Sequence, residues 1–179
     1  MVVYSLILAC TLDGGIGYNN VIPWNIKNEM VLFSKITQEP DCYYKKNAII
    51  MGRRTWESLS YKPLKNRINI IISSSAKTIN NEENVIFFNN FDDSLEYCDN
   101  SVNINKVFVI GGKTLYDLCL NNEKYAQNID CIHLSIIKKK YKCDTFINFK
   151  HIIKKYRNYN IFEILFDSDF IYIRLLKST

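Results

Sequence analysis

The chain has 179 residues, enough for one domain with a sizeable core. Apolar residues make up 47% and charged residues 23%, as in ordinary soluble globular proteins, and no apolar run approaches the roughly 18 residues of a membrane span. The net charge of +5 is dispersed, apart from three lysines at 138–140 that are typical of a solvated turn. Charge alone therefore favours neither nucleic acid nor an anionic small molecule as a ligand.

Strand-like and helical patterns alternate along the chain. Residues 2–9 have no basic leader or cleavage site, so they predict a first strand and not a signal peptide. Further strand-like runs are 48–51, 68–72, 85–88, 107–110, 131–137, 160–166 and 170–176, and the helical patterns are 26–36, 55–59, 94–98 and 114–120. The alternation predicts one α/β domain over residues 1–179 with a mainly parallel sheet, and the last two runs predict an antiparallel hairpin.

The six cysteines are scattered and show no metal-ligand spacing. They are Cys10, Cys42, Cys98, Cys119, Cys131 and Cys143. Without a secretory signal, most of them are expected to be reduced core thiols and not a disulfide framework. Because His133 and His151 are the only histidines, the sequence predicts no metal site.

Glu29 falls on the apolar stripe of the first predicted helix, for which Asn25 is the expected N-cap. The apolar positions of that stripe are Ile26, Met30, Phe33 and Ile36. A carboxylate on such a face is costly unless it meets a donor or a ligand, which indicates a functional group. The alternatives are a glutamate at the edge of the stripe, with its carboxylate in water, or one paired with Lys or Arg.

Three polar loops follow three predicted strands. They are Gly52-Arg53-Arg54-Thr55, Ser73-Ser74-Ser75 and Gly111-Gly112-Lys113-Thr114. Ligands of open α/β sheets bind beyond the carboxyl ends of the strands, and helix N-termini there bind anions. Each loop singly has an ordinary explanation, but three at one edge predict a polyphosphate ligand such as a dinucleotide. The Rossmann glycine fingerprint is absent, so the binding scheme must be a different one.

An ordered set of motifs over nearly the whole chain resembles the dihydrofolate reductases. The motifs are Gly15-Ile16-Gly17, Ile22-Pro23-Trp24, Glu29 with Phe33, Met51-Gly52-Arg53-Arg54-Thr55-Trp56-Glu57-Ser58, Pro63-Leu64-Lys65-Asn66-Arg67-Ile68-Asn69, Ile110-Gly111-Gly112 with Tyr116, and Asp144-Thr145-Phe146. The resemblance implies an eight-stranded, mainly parallel sheet with four flanking helices. It also implies NADPH-dependent reduction of dihydrofolate to tetrahydrofolate, which supplies one-carbon metabolism and thymidylate synthesis.

The resemblance also assigns residues to the folate site. Glu29 would bind the pteridine amino group and ring N–H and assist protonation, with Ser135 beside it in place of the family's usual threonine and Trp24 ordering a loop water. Arg67 would bind the folate carboxylate with its planar fork. The other implied substrate contacts are Leu8, Ala9, Met30, Phe33, Leu59, Leu64 and Ile110.

The NADPH site implied by the resemblance is larger. It comprises Ala9, Ile16, Gly17, Gly52, Arg53, Arg54, Thr55, Ser73, Ser74, Ser75, Ile110, Gly111, Gly112, Lys113, Thr114, Leu115 and Tyr116. The segment 15–24 would close over the nicotinamide, and a cis peptide would join Gly111 to Gly112. Two departures stand out: Asn66 replaces a common glycine before Arg67, and Ile147-Asn148 replaces an aromatic-proline pair after Asp144-Thr145-Phe146.

Two other functions would explain part of this pattern. A sister reductase of riboflavin synthesis would share the cofactor loops but lack the Glu29–Phe33 pair and the 63–67 motif. A non-catalytic nucleotide- or RNA-binding module would explain the basic charge but not Glu29.

The expected partners are dihydrofolate and antifolates such as methotrexate, with no nucleic acid and no membrane. A complete, monomeric, cytoplasmic enzyme is the default expectation, although some protists fuse such a domain to thymidylate synthase.

Overall fold

The computed structural model describes residues 2–74, 83–156 and 159–178. Its strands are β1 Tyr4–Thr11, β2 Gly15–Gly17, β3 Lys46–Gly52, β4 Arg67–Ile72, β5 Val85–Phe88, β6 Ile104–Val109, β7 Ile129–Ile137, β8 Thr145–Phe146, β9 Tyr159–Phe166 and β10 Phe170–Lys177. Its helices are α1 Lys27–Gln38, α2 Arg53–Ser58, α3 Phe91–Asn100, α4 Lys113–Asn121, α5 Glu123–Ala126 and α6 Phe149–Lys155.

Eight of the strands form one sheet in the order β5-β4-β3-β6-β1-β7-β10-β9. All neighbours are parallel except β10, which runs antiparallel to both β7 and β9. The central strands are apolar along their length because both faces of the sheet are covered; Ile49, Ile50 and Met51 of β3 are each 0% exposed. The fold predicted from the sequence is confirmed, including the antiparallel hairpin at its end.

The two faces of β1 contribute to separate cores. Leu6 and Leu8 pack into a large core with Leu115 of α4 and Leu95 of α3. Ile7 packs on the opposite face, in a second core that also receives side chains of α1. This division follows from the pleat, which points successive side chains of a strand to opposite faces.

Two details of the first helix differ from the prediction. The helix begins at Lys27, and the capping position is Ile26, which makes no side-chain cap, so Asn25 is not the N-cap. Met30 is 53% exposed and lies outside the core. At about 100° per residue, Met30 is roughly 120° around the helix from Ile36, and therefore at the edge of the stripe.

The structure also contains short elements that the sequence did not predict. Helices α5 and α6 add to the four predicted ones, and β2 pairs with β8 in a separate two-stranded sheet. Elements of two to seven residues are too short to show a clear hydrophobic period, so they leave little signal in the sequence.

The unusual Ile147-Asn148 segment is held against the segment that follows β1. The Ile147 N–H donates to the Gly14 carbonyl at 2.8 Å, and the Ile147 side chain is buried. Nearby, the Asp144 carboxylate accepts from the Asn19 N–H at 2.8 Å. These contacts position the 15–24 segment, which precedes α1.

Replacing Gly14 with Ala should destabilise the protein by about 2–4 kcal/mol, because φ at Gly14 is +89° and a Cβ there would lie 2.2 Å from the Ile147 carbonyl oxygen. Chemical denaturation measures this loss. Gly17→Ala is the matched control: its Cβ would meet its nearest neighbour at 3.5 Å, so we expect a change below about 1 kcal/mol. Equal effects of the two substitutions would contradict this account of the 14–17 segment.

Candidate active site

Glu29 lies in the first turn of α1 and is half-buried against the sheet. Burial raises the pKa of its carboxyl group, and a hydrogen bond from the Ser135 side chain opposes that shift. Among the described residues, Glu29 forms no ion pair with Lys or Arg, so the paired alternative does not hold. The site therefore contains a desolvated carboxyl group whose ionised form is stabilised by one hydroxyl.

The register of β1 on β7 decides which side chains share the face of Glu29. Ala9 is opposite Ser135, and Ile7 is opposite His133. The Leu8 side chain points to the other face and packs in the large core, so the predicted substrate contact of Leu8 is wrong for its side chain. The Ile7 side chain lies on the face that packs against α1 instead. The period-two pattern of β1, which groups Ile7 with Ala9, contained this information.

Apolar side chains gather around Ile7 on this face of the sheet. Those predicted to line the substrate path are Phe33, Leu59, Leu64 and Ile110, and all four pack in the same cluster as Ile7. Met30 does not join them, because its side chain is largely exposed. The structure thus brings residues from α1, the end of α2, the loop before β4 and the end of β6 into one apolar surface.

Arg67 is buried at the start of β4, with 5% of its surface exposed. Its guanidinium donates to the Thr37 hydroxyl at 2.7 Å and to the Lys65 carbonyl at 3.0 Å, and it lies 5.9 Å from the centre of the Phe33 ring. Burial lowers its pKa to about 10, so it remains a cation at neutral pH. No carboxylate of the described residues pairs with it. Asn66, just before it, adopts φ of +60°, a conformation that asparagine tolerates.

Two of the predicted dinucleotide loops touch each other. The Gly52 N–H donates to the Gly111 carbonyl at 2.8 Å, and a Cβ on Gly112 would lie 3.1 Å from the Thr55 hydroxyl. The peptide between Gly111 and Gly112 is cis, as the resemblance implied. The first turns of α2 and α4 have glycine at the capping position and no side-chain cap. The glycines at the capping positions therefore leave these two helix starts without a side-chain cap.

The cations of these loops differ in their contacts. Arg53 pairs with Glu57 at 2.6 Å and Lys113 with Asp117 at 2.9 Å, each one turn along its own helix. Arg54 is exposed, and no described residue forms an ion pair with it.

The other residues of the predicted cofactor site differ in exposure: some side chains are exposed and others are buried in the core. Thr114 and Ser74 are exposed, whereas Ser73 is buried and its N–H donates to the Phe88 carbonyl. The Leu115 side chain packs in the large core, so its predicted contact with a ligand is wrong for the side chain. Tyr116 is also buried; its hydroxyl donates to the Ile7 carbonyl at 2.8 Å. Ser75 lies outside the described residues.

The segment predicted to close the site packs in two places. Ile16 and Gly17 belong to β2, and Ile16 is partly buried against the large core. Trp24 is buried, with its ring 5.7 Å from that of Tyr141, and packs in a third cluster that includes Ala9. Trp24 and Ala9 therefore share one apolar cluster beside the Glu29 face.

Comparison with known proteins identifies the family of this chain. The family model described as dihydrofolate reductase matches residues 3–162, most of the chain. The chain belongs to the dihydrofolate reductase family. Members of this family reduce dihydrofolate to tetrahydrofolate and use NADPH. Within the described residues, no helix is both long and apolar enough to cross a bilayer.

The chain is similar both to dihydrofolate reductases and to bifunctional proteins that also contain thymidylate synthase. The dihydrofolate reductase of Heliothis virescens is 35% identical over 79% of this chain and 77% of its own length, and that of Pneumocystis carinii is 35% identical over 82% and 74%. The bifunctional dihydrofolate reductase-thymidylate synthase of Paramecium tetraurelia is 37% identical over 81% of this chain. The chain matches about 28% of the length of that bifunctional protein.

Glu29→Gln should stabilise the ligand-free protein more at about pH 8 than at about pH 5. Since burial raises the pKa of Glu29 above its unfolded value, the folded state binds the extra proton, and stability is lost as pH rises through the folded pKa. Glutamine has no such titration. Urea unfolding of both proteins at the two pH values measures the difference, and identical pH dependence of the two would show that Glu29 is not desolvated.

Proposed function

We propose that this chain reduces 7,8-dihydrofolate to 5,6,7,8-tetrahydrofolate with NADPH. The observation that carries the proposal is that the half-buried Glu29 and the buried Arg67 lie at two ends of one apolar surface, and neither has an ion-pair partner among the described residues. Glu29 and Thr37 lie on one side of α1, about 12 Å apart along the helix, and Thr37 holds Arg67. A flat heterocycle joined through an aromatic group to a carboxylate complements this arrangement.

Glu29 is placed to bind and orient the pteridine. Its carboxylate would accept hydrogen bonds from the amino group and ring N–H, and the Ser135 hydroxyl keeps it oriented toward the sheet. The raised pKa brings the carboxyl group nearer to neutral pH, where a general acid–base group works best. Glu29 would thereby favour the reactive tautomer and assist protonation of the ring nitrogen beside the reduced carbon.

Arg67 and the apolar surface would bind the rest of the substrate. Phe33, Leu59 and Leu64 provide contact area for the aminobenzoyl group. The buried Arg67 guanidinium would receive the folate carboxylate bidentately, and the carboxylate would then provide the countercharge that no described residue provides. Methotrexate and related antifolates, which share this carboxylate and a similar ring system, are proposed to bind in the same place.

The residues present fit NADPH. Gly112 lies so close to Thr55 that a Cβ would crowd it, and the starts of α2 and α4 present uncapped N–H groups where cations also gather. Gly111, Gly112 and Thr55 would hold the pyrophosphate, and Arg54, together with Arg53, the 2′-phosphate. When bound, NADPH supplies the hydride; the protein supplies position and a water-poor surface.

Closure of the 15–24 segment over the bound cofactor and a cytoplasmic location of the protein are further parts of the proposal. The 15–24 segment, held by Asp144 and Ile147, would cover the nicotinamide, with Trp24 ordering a water near Glu29. A cytoplasmic location is supported by the free thiols of all six cysteines, four of them buried.

Replacing Glu29 with Gln should lower turnover by about a hundred- to ten-thousandfold, most severely near and above neutral pH, while the fold is retained. The assay follows NADPH absorbance with dihydrofolate as substrate, and circular dichroism checks the fold. Glu39→Gln, an exposed glutamate just after α1, is the control and should keep full activity. A Glu29→Gln enzyme within about threefold of wild type would refute the proposed role.

Replacing Arg67 with Leu should weaken folate and methotrexate binding by about thirtyfold or more and leave NADPH binding unchanged, because a buried carboxylate would lose its partner. Fluorescence titration with each ligand measures the two affinities. Arg67→Lys keeps the charge but not the fork, so it should recover only part of the loss. If NADPH binding weakens equally in Arg67→Leu, the substitution has damaged the fold and the assignment fails.

Replacing Arg54 with Ala should weaken NADPH binding by about ten- to hundredfold and NADH binding much less, since the two cofactors differ only in the 2′-phosphate. Arg53→Ala is the matched variant. Its guanidinium already contacts Glu57, so we expect a smaller change. Equal weakening of both cofactors by Arg54→Ala would assign Arg54 to the shared pyrophosphate, and no weakening would make it ordinary surface charge.

A further inference from the structure

Asn69 is a polar residue inside the otherwise apolar stretch 68–72 of β4, and its side chain is 0% exposed. Asparagine is depleted in strands, and a buried amide costs free energy unless hydrogen bonds satisfy it. Asn69 lies two residues after Arg67, so the pleat puts both side chains on the same face of the sheet. This buried amide therefore lies beside the guanidinium proposed to bind the substrate carboxylate.

The Asn69 amide holds the loop that precedes β4. Its Oδ1 accepts from the Leu64 N–H at 2.9 Å, and its Nδ2 donates to the Leu64 carbonyl at 3.0 Å. Asn69 thus binds both polar groups of Leu64, as a residue of a neighbouring antiparallel strand would. Its Nδ2 also donates to the Arg67 carbonyl at 3.1 Å. One side chain therefore fixes both the loop and the backbone of Arg67.

The loop in turn orients the Arg67 guanidinium. Its Nε donates to the carbonyl of Lys65, the residue after Leu64, at 3.0 Å, and its Nη1 donates to the Thr37 hydroxyl at 2.7 Å. Because Asn69 fixes Leu64, it also fixes the position of the adjoining Lys65 carbonyl. One of these two hydrogen bonds to the guanidinium therefore depends on Asn69.

The other contact of the guanidinium is held in a similar way. Asn47 is 0% exposed, is opposite Arg67 in the β3–β4 ladder, and donates to the Thr37 carbonyl at 3.0 Å. Two buried asparagines thus flank Arg67, although the next residues on this face, Ile49 and Ile71, are apolar. A buried polar network whose members are hydrogen-bonded fixes a single geometry. Its place around Arg67 favours a role in ligand binding.

We propose that Asn69 is a positioning residue, which fixes the 64–66 loop so that the Arg67 guanidinium is oriented for a ligand carboxylate before the ligand binds. The inference rests on the proposed role of Arg67. A guanidinium binds a carboxylate best when two of its N–H groups point at two oxygens, and ordering it during binding would cost affinity. Asn69 acts at the carboxylate end of the site, so it affects binding and not the chemical step.

The first test compares two inhibitors of Asn69→Ala by fluorescence titration. Methotrexate carries the carboxylate, whereas a dimethyl diaminopteridine is the bare ring and has no group that reaches Arg67. We expect methotrexate binding to weaken by about tenfold or more and diaminopteridine binding by less than about twofold. The KM for dihydrofolate should rise by a similar factor as the methotrexate dissociation constant, while kcat stays within about threefold of wild type.

Ser94→Ala is the matched control. It also removes a buried side-chain hydrogen bond, from the Ser94 hydroxyl to the Phe91 carbonyl at 2.7 Å, but in α3, which packs in the large core on the other face of the sheet. Both inhibitors should bind this variant as they bind wild type. Equal weakening of the two inhibitors by Asn69→Ala would show a general structural effect and overturn the proposal, as would unchanged methotrexate binding.

Asn69→Asp makes the same comparison with less change in shape, and serves if Asn69→Ala does not fold. Aspartate keeps the acceptor for the Leu64 N–H but loses the two Nδ2 donations, and its carboxylate would lie near Arg67 as a competing countercharge. Methotrexate should again weaken selectively, by about tenfold or more. Methotrexate binding equal to wild type in Asn69→Asp would contradict the proposal.

A double variant separates this inference from the proposed role of Arg67. If Asn69 acts through Arg67, adding Asn69→Ala to Arg67→Leu should weaken methotrexate binding by no more than about threefold further. Fully additive losses would overturn the inference and leave the role of Arg67 intact. Unchanged methotrexate binding in Arg67→Leu alone would instead overturn the role of Arg67 itself.

Discussion

The alternation of side chains along β1 is the constraint on which the rest of the structure depends. β1 lies between β6 and β7 near the middle of the sheet, so both of its faces must be covered. Its even-numbered residues Leu6 and Leu8 join the large core, and Ile7 and Ala9 contribute to the face beneath α1. The parallel pairing with β7 then places Ser135 beside Ala9, where the Glu29 carboxylate meets it.

Charge burial sets the character of the site. Desolvation disfavours the charged form of both Glu29 and Arg67, raising the pKa of the one and lowering the pKa of the other. Neither has an ion-pair partner among the described residues. Each is instead held by a hydroxyl, from Ser135 and Thr37 respectively, which orients the charge without neutralising it. A ligand that carries complementary groups recovers energy at both ends, and this favours a substrate of defined length.

The two glycine loops before α2 and α4 leave both helix starts without a side-chain cap. The chain has glycine at the capping positions of α2 and α4, where serine or aspartate would occupy the N–H groups. Gly111, with φ of +95°, packs on the Tyr116 ring so closely that a Cβ would lie 2.5 Å from it. The Tyr116 hydroxyl in turn donates to the Ile7 carbonyl, which links the loop after β6 to the central strand of the proposed folate site.

The sequence by itself determined the fold class, the order of the main elements and the general place of the site. Buried parallel strands have long apolar runs, and polar loops after them are visible without a structure. Glu29 was identified because a carboxylate interrupts an apolar stripe. The motif order of a known family added the sheet of eight strands and the assignment of Arg67.

Only the tertiary structure decided which face each side chain occupies and which charges remain unpaired. The resemblance to the family assigned Leu8 and Leu115 to ligands, yet both side chains point into the core. Met30 lies at the edge of its stripe and is exposed. Strand neighbours and burial depend on contacts between residues far apart in sequence, which a local period does not encode.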